Sequence, residues 1–284
     1  MNKVILSLTP TGMVPTKAMT YAVPIWPGEI VADVLGCVKL GITMVHLHAR
    51  DEEGRPTWRK EVYAEIIRGI RKAAPDLVIC VSLSGRDVGE FEKRADVLAL
   101  QDDLKPDMGS LTLSSLNFQS QASVNSPDTI KRLAADMLKR GIVPELEIFD
   151  LGMANYANYL VEKGLVHENC YANVFLGNIA GAQLDLIHAG ALISSLPKKA
   201  VWSLAGIGDA QLPANLIGIA MGGGVRVGLE DSIWLDSKRT ELATNALLVS
   251  RIHSAAGLMG KGIMTSLEFR ALMGMKPGRG DYGR

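Results

Sequence analysis

Two kinds of apolar pattern alternate eight times along this chain, and that alternation leaves few folds open. Short runs rich in β-branched residues read as buried strands, and longer stretches of 3.6-residue period read as helices. A first strand is expected at Val4–Leu8, then a helix at Pro27–Leu40, whose leading proline suits a first helical turn. The pairs continue as Thr43–His48 with Trp58–Ala73, Leu77–Leu83 with Asp87–Leu98, Met108–Leu113 with Pro127–Lys139, and Val143–Phe149 with Met153–Lys163. Tyr171–Leu176 with Gln183–Leu196, Ala200–Leu204 with Gln211–Met221, and Gly224–Gly228 with Lys238–Ala256 complete the series. Eight pairs with no surplus segment predict an α/β fold, a (β/α)8 TIM barrel, as a single domain over residues 1–284. Residues after Gly257 form a short C-terminal extension in this reading. A doubly wound open sheet also alternates strand and helix, but eight repeats favour closure.

Composition narrows the function classes. Thirty basic and thirty acidic residues cancel in a chain of 284. No basic stripe interleaves with aromatics, so no nucleic-acid partner is expected. No block of like charge marks a disordered tail. The chain has no apolar run of about 18 residues, so no membrane span is expected. The N-terminal apolar run is too short for a secretion signal and lacks a small-residue cleavage site before Pro10. Cys37, Cys80 and Cys170 are odd in number and far apart, which fits core residues in a reducing cytoplasm rather than a disulfide framework or a CxxC site.

In such a barrel the chemistry sits at the C-terminal ends of the strands. The second strand ends Val45-His46-Leu47-His48-Ala49-Arg50-Asp51. Residues two apart on a strand share a face, so His46 and His48 point the same way and form half of a metal site. The eighth strand ends Arg226-Val227-Gly228-Leu229-Glu230-Asp231, where a carboxylate can complete a His₂Glu set with open positions. Capping a following short helix would equally account for Glu230 or Asp231 alone. Ligand type favours zinc and leaves iron, cobalt and manganese open. Ser82 and Ser84 close strand three, Ser110, Thr112, Ser114 and Ser115 surround strand four, and Glu145 and Glu147 alternate on strand five. Any single serine is as well explained by a loop or cap. Two acids on one core strand, however, are costly without partners, which a barrel mouth supplies. Gly206-Ile207-Gly208 lacks the third glycine of a dinucleotide fingerprint, Gly222-Gly223-Gly224 reads as a helix-ending turn, and no GxSxG elbow is present.

Taken together these segments resemble the β-keto acid cleavage enzymes. The resemblance spans nearly the whole chain: Thr11-Gly12, His46 to Asp51 with Gly54-Arg55-Pro56, Ser115-Leu116-Asn117-Phe118, Pro144 to Glu147, Ala205 to Gly208, and Arg226 to Asp231. It implies zinc held by His46, His48 and Glu230. It also implies an Arg226–Asp231 dyad, with Asp231 as general base and Arg226 orienting it, and Ser82 and Glu147 beside the reacting groups. Thr11, Val14, Ser84 and the strand-four hydroxyl of Ser110 fall at substrate-binding positions. The implied reaction takes a 3-keto acid and acetyl-CoA to acetoacetate and a new acyl-CoA, in a homo-oligomer, usually a tetramer. One departure stands out. Some members carry a glutamate just after the strand-one Thr-Gly, which pairs with a substrate ammonium, and Val14 takes that place here. A tail that is uncharged or differently charged is therefore expected. Lys17 faces an acidic tail or is simply solvated. Arg86, Lys93, Arg94 and Lys105 are candidates for the CoA phosphates, and surface solvation explains them equally well.

Other metal-dependent barrels, an aldolase or an amidohydrolase, compete with this reading. An amidohydrolase carries its His pair on strand one, and His167, His188 and His253 do not look like further ligands. A metal-free binding or scaffold barrel is opposed by the cost of keeping several polar groups buried at strand ends.

Overall fold

A computed structural model describes residues 2–284. Eight parallel strands close on themselves: β1 (Leu6–Leu8), β2 (Met44–Leu47), β3 (Val78–Val81), β4 (Met108–Thr112), β5 (Val143–Ile148), β6 (Tyr171–Leu176), β7 (Val201–Gly206) and β8 (Gly224–Val227). The barrel closes where β8 pairs with β1, Arg226 opposite Ser7. The helices α1 (Pro27–Leu40), α2 (Lys60–Ala73), α3 (Phe91–Arg94), α4 (Pro127–Arg140), α5 (Leu151–Glu162), α6 (Leu186–Ser194), α7 (Gln211–Ala220) and α8 (Asn245–Leu258) follow the strands in turn. The expected (β/α)8 barrel is the fold.

Local sequence explains the elements. On α2, Tyr63, Ile66, Ile67 and Ile70 recur at helical spacing and are all buried. Helix α4 starts where the Ser126 hydroxyl accepts the Thr129 N–H and Pro127 fills the first turn, and it stops at Gly141 with φ 66°. Along β2, Val45 and Leu47 join the apolar layer beneath the helices, while Met44 and His46 take the opposite face.

Three expected elements differ. The helix expected over Asp87–Leu98 shrinks to α3 and a 3-10 turn at Asp96–Ala99. Arg94 draws the segment inward, donating from Nε to the Leu83 carbonyl and from Nη2 to Asn125 Oδ1, each at 2.8 Å. The long last helix starts at Asn245 rather than Lys238. The preceding stretch folds around Asp236, whose carboxylate accepts from the Thr240 hydroxyl and the Glu241 N–H, and Thr244 supplies the helix cap. The first strand is divided, with Lys3–Val4 pairing outside the barrel with Gly262–Ile263 of the extension.

That extension is a plug. Helix α9 (Ser266–Met273) opens with a capping box of Thr265 and Glu268. It inserts Phe269 and Met273 among Ile5, Met44, Val78, Met108 and Tyr171 at the N-terminal ends of the strands. Beneath it, Arg270 donates to both oxygens of the fully buried Asp107, at 2.7 and 2.8 Å. Asp107 also accepts the Ile79 and Gly283 N–H groups. The barrel interior is thus sealed and apolar at one end, leaving the other end for polar groups. Among the described residues no helix is long and apolar enough to cross a membrane.

Replacing Arg270 with Met leaves Asp107 charged and buried against weaker donors. A loss of about 3 kcal/mol is expected in denaturant unfolding, the low end for a broken buried pair because two N–H donors and Arg71 remain. An unchanged unfolding midpoint would show that the pair contributes nothing.

Candidate active site

Strand β2 delivers the two histidines to the open end. Their rings are tilted, with centroids 5.1 Å apart and Nε2 atoms 3.2 Å apart. Glu145 of β5 reaches across to His46 Nδ1 at 2.5 Å. It is itself held by Asn173 Nδ2 at 2.8 Å and the Cys80 thiol at 3.3 Å. A carboxylate at Nδ1 assigns the proton to that nitrogen and leaves the Nε2 lone pair facing the mouth. From the loop after β8, Glu230 Oε1 comes within 3.3 Å of His48 Nε2. His46, His48 and Glu230 therefore offer three donor atoms within 4.8 Å of one another. The second oxygen, Glu230 Oε2, is buried without a hydrogen-bond partner. Cys80 and Glu145 meet His46 at its other nitrogen, where Glu145 Oε2 receives both the thiol and Nδ1.

Beside this triad lies a buried charge cluster. Arg226 on β8 is 2% exposed, and donates to Glu230 Oε1 at 2.6 Å and to Asp231 Oδ2 at 3.0 Å. The Thr9 hydroxyl also reaches Asp231 Oδ2, at 3.4 Å. Glu147 receives the Thr112 hydroxyl at 2.6 Å and lies 4.0 Å from Arg226. Burial pushes the Asp231 carboxyl above its ordinary value, and Arg226 opposes this only in part. Burial raises Glu147 in the same way. Glu230 goes the other way: burial acts to raise it, but Arg226, His48 and His46 outweigh burial and hold it well below the carboxylate range. Adjacent acids with opposite shifts suit opposite tasks, a permanent anion at Glu230 and a proton acceptor at Asp231.

Part of this cluster borders a cavity of about 570 Å³, with His46 buried directly behind His48 and outside the lining. Val14, His48, Ser82, Ser84, Glu147, Arg226, Glu230 and Asp231 all line it, as do Thr112, Arg86 and Phe118. Two substrate-side expectations fall elsewhere. Ser110 is buried below the cavity, its hydroxyl accepting the Leu83 N–H at 3.1 Å. Thr11 is fully buried and does not border the cavity. Among the cations considered for CoA, Arg94 is held by the β3 loop and Lys93 pairs with Glu90 at 2.8 Å. Lys105 lies beside Gly141 and Gly283 at the plugged end. Lys17 pairs with Glu29 at 2.9 Å.

Sequence reasoning gave no part to several residues that shape the site. Glu145 was visible only as an alternating acid. Arg50, read only as part of the histidine motif, clamps the loop after β1 through the carbonyls of Gly12 and Pro15, at 3.0 and 3.1 Å, and ties it to its own loop through the Gly54 carbonyl at 3.0 Å. Asn245 ties the loops after β1 and β8 together, accepting the Leu229 N–H and donating to the Pro10 carbonyl, both at 3.0 Å. Gly12, with φ 65°, sits so close to Glu230 that a Cβ would lie 2.5 Å from its Cγ, so only glycine lets this loop close on the metal-ligand candidate.

A sequence profile of the beta-keto acid cleavage enzymes matches residues 3–275. A 3-keto-5-aminohexanoate cleavage enzyme of Fusobacterium nucleatum is 33% identical over 279 residues, covering 97% of this chain and 99% of that one. A 3-oxoadipate:acetyl-CoA acetyltransferase of Cupriavidus necator is 34% identical, covering 95% of this chain and 94% of its own. The solved apo structure of ObcA superposes with TM-score 0.79 at 19% identity, over 89% of this chain and 65% of that one, a likeness of fold alone. By the profile match and by relatives aligned over nearly the whole chain, the protein belongs to the beta-keto acid cleavage enzyme family.

Proposed function

We propose that this protein is a zinc-dependent enzyme that exchanges acyl groups between a 3-keto acid and acetyl-CoA, giving acetoacetate and a new acyl-CoA. The observation that carries the reading is the His46–His48–Glu230 donor set, two of whose members line the cavity, with the raised Asp231 carboxyl beside them on the same wall. The donors suit zinc: two imidazoles and one carboxylate, His46 fixed from behind by Glu145, and the Glu230 Oε2 atom buried and without a partner. When bound, zinc supplies Lewis-acid polarisation of the substrate's keto group.

The chain's own residues do the rest. Asp231 takes the proton from C2 of the keto acid, as a buried carboxylate of raised basicity. Arg226 holds both Asp231 oxygens, Oδ2 at 3.0 Å and Oδ1 at 3.3 Å, and so fixes the plane in which that proton arrives. Ser82 and Ser84 accept backbone N–H groups with their hydroxyl oxygens, which leaves their hydroxyl protons to donate to bound substrate. In the overall exchange C2 joins the acetyl carbonyl carbon as the bond from that carbon to CoA sulfur breaks, the sulfur joins the original keto carbon as the bond between C2 and that carbon breaks, and the proton held by Asp231 returns to C2 of acetoacetate. Phe149, Phe175 and Ile207 give the cavity an apolar wall that excludes water, so thioester transfer is favoured over hydrolysis.

The family acts on keto acids with different tails, as the names of the two relatives show. Val14 borders the cavity with no charge to offer an ammonium tail. We place the enzyme in the cytoplasm as a homotetramer. The family resemblance supports the tetramer, and three buried, unpaired cysteines support the compartment.

Substitution separates the roles. Asp231→Asn is expected to keep zinc at full stoichiometry while turnover falls by about 10³-fold or more, the scale of a lost general base. Full activity in that variant would assign the proton transfer to another group. His48→Ala should lose metal and activity together, and zinc retained at wild-type stoichiometry would remove His48 from the ligand set. Glu145→Gln, read by competitive chelator titration, should weaken zinc binding by about 10–100-fold, the usual effect of removing a histidine's carboxylate partner. Unchanged affinity would limit Glu145 to packing.

A further inference from the structure

We infer that Arg86 is an oxyanion clamp within the cavity, and that the keto acid this enzyme takes carries a second carboxylate on its tail. The inference rests on the keto acid reading above and names the substrate class within it.

The loop after β3 is built to hold this side chain in place. The Ser84 N–H donates to Ser82 Oγ at 3.3 Å, and the Arg86 N–H to Ser84 Oγ at 3.2 Å. Gln121 Nε2 donates to the Arg86 carbonyl at 3.2 Å. The guanidinium then lies over the Phe118 ring, 3.7 Å from its centroid, which fixes its plane by a cation–π contact. A long side chain that would otherwise sample many rotamers is thus pre-ordered on the cavity wall.

Its hydrogen-bonding capacity is unused. Among the described residues the guanidinium makes no hydrogen bond, its Nε is buried without a partner, and Glu230, Glu147, Asp87 and Asp231 act on it by charge alone. A buried donor left unpaired costs stability, and a ligand oxyanion would remove that cost. The other cations near the mouth are held by partners. Arg226 is held by Glu230 and Asp231 and keeps only Nη1 unpartnered, Arg50 is held by three carbonyls, and Lys17 by Glu29. Asp87, next in sequence, is engaged by Gln121 at 2.8 Å.

The facing groups decide what kind of ligand fits. Val14, Phe149, Phe175 and Ile179 are apolar and suit the methylene groups of a short chain. With the keto and carboxylate end at the metal-donor set, a second carboxylate can take the planar guanidinium edge in a two-point contact. The CoA phosphates are the other oxyanions in the reaction. Arg86 shares the lining with Ser82, Ser84 and Glu230, which favours a group that enters with the keto acid.

The test is calorimetric titration of the zinc-loaded protein, without acetyl-CoA, using 3-oxoadipate, its neutral counterpart 3-oxohexanoate, and 3-keto-5-aminohexanoate. The dicarboxylate is expected to bind at least about 10-fold more tightly than the neutral acid, the lower bound for a charged hydrogen-bonded contact, with the amino acid weakest. Arg86→Gln should bring 3-oxoadipate down to the neutral acid's affinity and leave 3-oxohexanoate within about twofold. Arg86→Lys, which keeps the charge, should retain part of the preference. Steady-state KM for acetyl-CoA, measured with 3-oxohexanoate, should not move. Equal loss for both acids in Arg86→Gln would assign the guanidinium to the carboxylate they share and overturn the proposal. A raised KM for acetyl-CoA with unchanged acid preference would assign it to the CoA phosphates and also overturn it. So would a wild-type protein with no preference. Tight, selective binding without turnover would leave the clamp standing and refute the reaction.

Discussion

The mouth of this barrel is organised around one buried guanidinium. Arg226 stands on β8 among four carboxylates, with Glu230 and Asp231 in direct contact and Glu145 and Glu147 close enough to act on it by charge. A cation so deeply buried persists only when its partners are fixed around it, and the partners in turn need the cation to remain ionised together. That mutual requirement accounts for acids on the inner face of β5 and for a turn after β8 that aims two adjacent carboxylates inward. It also sets their contrast. The carboxylate shared between Arg226 and the histidines stays ionised, while its neighbour is left more basic.

The two ends of the barrel divide the labour. At the plugged end, Phe269 and Met273 close the interior with dense apolar packing, and the Arg270–Asp107 pair ties the extension to the strands. At the open end the interior turns polar layer by layer, from the Tyr171 hydroxyl through Asn173 and Glu145 to His46. Each member of that series orients the next, so the donor atoms are positioned from below by the barrel and not by loops alone. The loops are then tied to one another by Arg50 and Asn245, which makes the cavity rim a continuation of the scaffold.

Much of this was legible in the sequence, and the reasons for the misses are physical. Strand and helix order follows from hydrophobic period, which is local, so α1 and β6 fall at the residues expected from pattern alone. The His46–Leu47–His48 spacing places two imidazoles on one face of any strand. The failures came where long-range contacts override local preference. Nothing in Asp87–Leu98 announces that Arg94 will be drawn to Leu83 and Asn125, or that Asp236 will organise a turn ahead of α8. Ser110 shares a strand face with Thr112 in sequence, but only Thr112, two residues further along the strand, borders the cavity, while the Ser110 hydroxyl accepts the Leu83 N–H. Glu145 could be seen as a costly buried acid. Its partner, however, lies 99 residues away, and no local signal names it.

The central claim is that this cavity joins the acetyl group of acetyl-CoA to carbon atoms of a 3-keto acid. The most direct measurement supplies acetyl-CoA labelled with carbon-13 at the acetyl carbonyl, together with an unlabelled 3-keto acid, and follows the products by NMR and mass spectrometry. The account expects acetoacetate labelled at its keto carbon, with an unlabelled new acyl-CoA formed in equal amount. Labelled acetate without acetoacetate, or acetoacetate free of label, would contradict it and assign the site to a different reaction.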